Sequence, residues 1–98
     1  FMDAQKHLEK ALLLNPHHLR SYRLLARVHL LANNRPDKAE AILDQMVKQN
    51  PTQAEGYLVR GRFYQDQKKN DVALKDYSEV MLLDPENNDA LVWSAELL

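Results

Sequence analysis

The 98-residue chain is predicted to be all-α, an α-solenoid of stacked antiparallel helix hairpins, and three observations predict it. Apolar residues recur at spacings of three and four almost throughout, the period of an amphipathic helix. No segment alternates apolar and polar residues for long enough to make a strand. Three helical runs stop alike, at Asn15-Pro16, Asn50-Pro51 and Asp84-Pro85, with the prolines 35 and 34 residues apart. Proline disfavours helical geometry at the residue before it, so the chain must turn at the same place in each unit. Helices that restart at constant geometry pile into pairs, each burying its face on the next.

Six helices follow in order. In Asp3–Leu14 the stripe is Ala4, Leu8, Ala11 and Leu12. Between Leu19 and Ala32 it is Tyr22, Leu25, Ala26 and His29. Pro36 suits a first helical turn, where its missing N–H costs nothing, and Ala39, Leu43, Met46 and Val47 follow. Thr52-Gln53-Ala54-Glu55 reads as a capping box, with Glu55 reaching back to Thr52. Tyr57, Gly61 and Tyr64 line the fourth helix. After the polar break Asp66–Asn70 come Ala73, Tyr77, Val80 and Met81. Asn87 or Asn88 caps a last helix running to Leu98. Gly61 inside a helix costs about 1 kcal/mol relative to alanine, so a close packing contact is expected there.

Composition removes several classes of function. A net charge of −1 offers no overall attraction to nucleic acid or an anionic membrane. No apolar run is long enough to cross a bilayer, so no membrane insertion is expected. The chain has no cysteine, hence no disulfide framework and no thiolate metal site; this suits the cytoplasm and the periplasm alike, and the expectation is a soluble compartment. The opening Phe1-Met2 inside a helical pattern reads as a piece of a longer parent.

The recurring residues resemble the tetratricopeptide repeat, a helix–turn–helix unit of about 34 residues. One unit carries Tyr57-x-x-Arg60-Gly61-x-x-Tyr64, then Ala73-x-x-x-Tyr77, Val80 and Pro85. The other carries Tyr22-x-x-Leu25-Ala26-x-x-His29, then Ala39-x-x-x-Leu43, Met46 and Pro51, with one extra residue in its inner loop. Arg60 in a leucine slot and His29 in a tyrosine slot are the departures. Phe1, Ala4, Leu8, Ala11 and Pro16 match a second helix without its first; Leu91, Ala95 and Leu98 match a first helix without its second. The resemblance thus implies a single domain over 1–98: 1–18 the second helix of a truncated repeat, 19–53 and 54–87 full repeats, and 88–98 the first helix of a truncated repeat. Arg60 either extends its stem along the core with its head in water or pairs with an acid on the neighbouring second helix.

In stacked repeats, and in the resembled family, first helices line the concave wall. Rotation by about 100° per residue puts Arg20, Arg23, Arg27, Leu30 and Leu31 on that side of the first full unit. The next first helix contributes Glu55, Leu58, Arg62, Gln65 and Asp66, and the last contributes Asp89, Val92 and Glu96. The wall runs from basic to acidic, which would orient a polar peptide. Arginine grips a carboxylate through two hydrogen bonds, so Arg20, Arg23 and Arg27 are candidates to receive an acidic stretch or a C-terminal carboxylate; the competing reading is a solvated helix face. Some family members clamp a chaperone carboxylate, but the corresponding positions here are Arg23, Arg27, Val59, Asp89 and Trp93, and Asp89 repels an anion. The implied function is a non-catalytic scaffold holding a protein or peptide partner.

Two other readings stand beside it. One is an RNA-binding helical repeat, disfavoured by the acidic last helix. The other is an accessory region of an enzyme whose catalytic domain lies elsewhere. Nucleophile and phosphate-loop motifs are absent, and no cofactor is expected. His7, His17, His18 and His29 lack the i, i+4 spacing of a helical zinc site, and His29 is expected to pack in the core with one polar contact. "DPENNDALVWSAE" lacks the glycine and closing glutamate of a calcium loop. Leu91, Leu97, Leu98 and the apolar face of Met2–Leu14 lack a covering helix, which points to self-association through the terminal helices.

Overall fold

The computed structural model describes residues 2–98, and the slot assigned to Phe1 lies outside them. The described residues form α1 (Met2–Leu14), α2 (Leu19–Arg27, continued by a π-helical turn over Val28–Ala32), α3 (Pro36–Gln49), α4 (Ala54–Asp66), α5 (Asn70–Leu83) and α6 (Asn88–Leu97), with no strand among them. The helices fall into two units, one ending at Asn50 and one beginning at Pro51.

In the first unit α2 packs on α1 and α3. Its stripe is buried as the spacing requires: Tyr22, Leu25, Ala26 and His29 are buried, and so are Ala39, Leu43, Met46 and Val47 of the neighbouring α3. Burying each large apolar side chain contributes about 1.5–3 kcal/mol. The proline turn is tied from both sides. The Tyr22 hydroxyl donates to the Pro16 carbonyl at 2.8 Å, and the buried Asn50 amide donates to the same carbonyl and to that of Met46, each at 3.0 Å. His17 Nδ1 lies 2.8 Å from Asn50 Oδ1. The second unit repeats the first bond, the Tyr57 hydroxyl donating to the Pro51 carbonyl at 3.0 Å. An aromatic hydroxyl six residues after Pro16 and after Pro51 therefore satisfies a carbonyl that the interrupted helix leaves open.

In the second unit α5 packs on α4 and α6. Tyr64, Ala73 and Tyr77 form its core cluster, with Leu58, Phe63, Trp93 and Leu97 packed against it. Gly61 sits at the closest approach: a Cβ there would lie 2.6 Å from Tyr77 Cε1 and 3.2 Å from Asp76 Cβ. Arg60 resolves to the paired alternative. Its Nε and Nη2 donate to the two carboxylate oxygens of Asp76 at 2.9 and 2.7 Å, and Asp76 is buried.

Four local expectations need correction. Thr52 does not cap α4: the N-cap is Gln53, without a side-chain bond, so Glu55 falls one position short of the place a capping box requires. The extra residue of the first unit is not in the loop. Both inner loops have three residues, 33–35 and 67–69, and each holds one left-handed residue, Asn34 (φ 51°) or Lys68 (φ 62°). In the second unit the Lys69 and Lys68 N–H groups bond the Tyr64 and Gln65 carbonyls, each at 2.9 Å, a Schellman ending. In the first, Arg35 N–H reaches back one residue further, to the His29 carbonyl at 2.8 Å, and Asn33 N–H bonds Val28 at 3.2 Å; the helix absorbs the insertion as a π turn. His29 is buried, but its Nδ1 has no hydrogen-bonding partner among the described residues. Leu97 is covered, being packed on the Tyr77 cluster. The choice between Asn87 and Asn88 falls to Asn87, whose Oδ1 accepts from the Ala90 N–H at 2.9 Å.

Candidate functional site

In the first unit the apolar stripe of α2 is used up by the core, which leaves Arg20, Arg23 and Arg27 exposed on the helix. None of the three makes an ion pair among the described residues. Leu30 is half-buried and Leu31, in the π turn, is 72% exposed. Beside them α1 and α2 enclose an open hollow of about 520 Å³, lined by Ala4, His7, Leu8, Leu24, Arg27, Val28, Leu31 and Ala32. Its wall is almost wholly apolar, and Arg27 stands at the wall with its charge available.

In the second unit Arg60, Arg62 and Gln65 of α4 are engaged with α5 and α6. Arg62 lies over the Trp93 ring, 4.9 Å from its centroid, and 3.6 Å from Asp66. Gln65 accepts from the Tyr77 hydroxyl at 2.6 Å and donates to Glu96 at 3.2 Å. Burial pushes the Tyr77 hydroxyl up to about 12, with Arg62 acting the other way and Asp66, Glu96 and Asp76 adding to the rise. The structure thus brings Arg62, Gln65, Asp66 and Glu96 into one network. Leu58 belongs to the packing around the core. Glu55 and Asp89 are exposed in the first turns of their helices, and Val92 is 55% exposed.

His7, Leu24 and Trp93 were not singled out as contact residues by the rotation argument. The signal that finds them is a shift of 69 residues, the separation of Pro16 and Pro85. It carries Leu24 onto Trp93, Arg27 onto Glu96 and His7 onto Asp76. Among the described residues no group of three or more His, Cys, Asp or Glu converges as a metal site would need, and no helix is long and apolar enough to cross a membrane.

Helix pairs of near-constant period, tied at Pro16 and Pro51 and carrying polar faces on their first helices, define an α-helical repeat protein. A tetratricopeptide repeat family model matches residues 1–62, and a second model of the same description matches residues 54–87. The chain belongs to the tetratricopeptide repeat family. Repeats of this family generally mediate protein–protein interaction and are typically non-catalytic. Curated proteins give no match to the chain.

Proposed function

We propose that the chain is a non-catalytic module that holds a segment of a partner protein on the outward faces of its first helices. Arg20, Arg23 and Arg27 receive acidic side chains or a C-terminal carboxylate, and Leu31 supplies an apolar contact beside them. The observation that carries this reading is three exposed arginines on α2 with no acid committed to them among the described residues. Most exposed arginine pairs contribute little to stability, so an unpaired row costs the fold nothing and leaves three bidentate donors for a ligand. On α4 and α6, Glu55, Asp89, Val92 and Glu96 offer a face of opposite sign for basic or apolar side chains. Soluble protein or peptide is the partner class; an anionic nucleic acid would meet Asp89 and Glu96 unfavourably.

The test is fluorescence anisotropy with a labelled peptide of alternating acidic and leucine residues ending in a free carboxylate. Binding should weaken with salt and fall at least about tenfold in the Arg20→Glu, Arg23→Glu, Arg27→Glu triple variant, a loss of about 1.4 kcal/mol or more. Equal binding by the triple variant would remove these arginines from the site.

A further inference from the structure

The fold does not require the basic face of α2, and the second unit shows why. Under the 35-residue interval from Pro16 to Pro51, Arg20, Arg23 and Arg27 fall on Glu55, Leu58 and Arg62 of α4. One slot has reversed its charge and one has lost it; in the third, Arg62 is committed to the Trp93 ring and to Asp66. Glu55 and Arg62 stay exposed although α4 has α5 and α6 beside it, so openness at these slots comes with the repeat. Arg20 even works against its own helix. It stands in the first turn of α2, where a cation opposes the helix dipole; the first turns of α1, α3, α4, α5 and α6 each hold an acid. No Asp or Glu occurs between Glu9 and Asp37, and Asp37 is taken by Arg35 through hydrogen bonds of 3.1 and 3.0 Å.

We infer that the ligand of this face is a phosphate monoester, a phosphorylated serine or threonine in an acidic segment of the partner, which rests on the peptide site proposed for the same arginines and names what it takes. Side chains three and four apart on a helix are neighbours, with Cβ atoms about 5–6 Å apart. Arg23 therefore has a neighbour on each side, Arg20 three residues before it and Arg27 four after, and two such long side chains reach one anion. A carboxylate offers two oxygens and is filled by a single planar fork. A phosphate monoester carries a charge of about −1.5 to −2 and three acceptor oxygens, so it takes one fork from Arg23 and a second from Arg20 or Arg27. The arginine left over meets an ordinary acidic side chain of the same segment. Three uncompensated forks along about 10 Å of helix call for more negative charge than one carboxylate supplies.

The distribution of charge favours a phosphopeptide over a nucleic acid. Residues 1–50 hold eight Lys and Arg against five Asp and Glu, whereas residues 51–98 hold five against nine. A nucleic-acid strand spreads single charges along its whole length and is met by a basic stripe of matching extent. A basic face confined to one helix suits one compact dianion.

The test uses the labelled acidic–leucine peptide in three forms, with glutamate, phosphoserine or serine at one central acidic position, and a labelled single-stranded RNA at the same salt. The phosphoserine form should bind at least about tenfold more tightly than the glutamate form, the serine form more weakly than either, and the RNA more weakly than the phosphoserine form. Arg23→Gln removes the fork common to both neighbouring pairs and leaves Arg20 and Arg27 about 10 Å apart along the helix. It should bring the phosphoserine and glutamate forms to within about threefold of each other, with helical circular dichroism unchanged because the side chain is exposed. Equal binding of the glutamate and phosphoserine forms by the unaltered chain overturns the inference and leaves the acidic-peptide reading standing. Binding of neither form overturns both. RNA bound more tightly than the phosphoserine form overturns the inference in favour of a nucleic acid, and a phosphoserine advantage that survives Arg23→Gln removes the arginine pair as its source.

Discussion

Gly61 and Tyr77 approach so closely that a Cβ on the glycine would stand 2.6 Å from Cε1 of the tyrosine ring. The ring cannot swing aside, because Tyr77 is fully buried and its hydroxyl is held by Gln65 at 2.6 Å. Replacing Gly61 by alanine gains about 1 kcal/mol of helix propensity. Against this stands overpacking, which costs about 1–3 kcal/mol in a close-packed interior. The expected outcome is net destabilisation of Gly61→Ala by about 1 kcal/mol and a larger loss for Gly61→Leu, read from urea midpoints. A stabilised alanine variant would show that the α4–α5 contact is looser than described.

The Arg60–Asp76 pair offers a sharper contrast, because the first unit holds Leu25 and Ile42 in the same two slots. Removing one partner of a buried pair leaves the other charge unmet, a cost of about 3–5 kcal/mol. Arg60 keeps partial access to water, with 21% of its side chain exposed, whereas Asp76 has 4%. Arg60→Leu, which strands the more buried charge, should therefore be the worse single variant. The Arg60→Leu, Asp76→Ile double variant should recover most or all of the loss, since apolar replacements of a buried pair are often neutral or stabilising. A double-mutant cycle in urea measures this; strictly additive losses would contradict it.

Tyr77 also makes stability depend on pH at the alkaline end. Its hydroxyl is raised to about 12, chiefly by burial, against 10.0 for an ordinary tyrosine. Below pH 10 both the folded and unfolded chains keep this proton, and the stability it supports is fully present. Between pH 10 and 12 the unfolded chain releases the proton while the folded chain holds it, so stability falls as pH rises. Tyr22, also raised by burial, adds to the same slope. Tyr77→Phe should flatten the decline measured between pH 9.5 and 11.5, and tyrosinate absorbance of the native chain should show late-titrating rings. An unchanged slope in the phenylalanine variant would remove Tyr77 as its source.

The rhythm of the fold was legible because its causes are local. A proline stops a helix whatever surrounds it, and apolar spacing of three and four marks the buried stripe; Tyr22, Leu25, Ala26 and Ala39 lie where that spacing puts them. Gly61 announced a close contact by its cost. What was illegible depends on distant partners. Whether Arg60 reached water or an acid turned on Asp76, sixteen residues away. Thr52 and Glu55 had the composition of a cap, but the helix start is set by the turn after Pro51, which places Gln53 at the N-cap. An extra residue looks the same in sequence whether a loop or a π turn absorbs it. The arginine face was found by rotation alone, while the hollow beside it needed the internal repeat to reveal it.

His29 occupies the slot that Tyr64 fills in the second unit, and it is the weaker choice. The ring is buried and its Nδ1 meets no hydrogen-bonding partner among the described residues. An unsatisfied buried polar atom costs about 1–3 kcal/mol, whereas leucine has a similar volume and no polar atom to strand. The α2–α3 pair already packs Leu25 and Leu43 in its core, so an aliphatic neighbour meets matching surfaces. His29→Leu should therefore raise the urea midpoint, by about 1 kcal/mol after any misfit of shape is subtracted. His29→Ala should lower it instead, because the removed ring leaves a cavity. If leucine destabilises as much as alanine does, the ring must be making a polar contact that the fold depends on, and His29 would join the residues that hold the π turn in place.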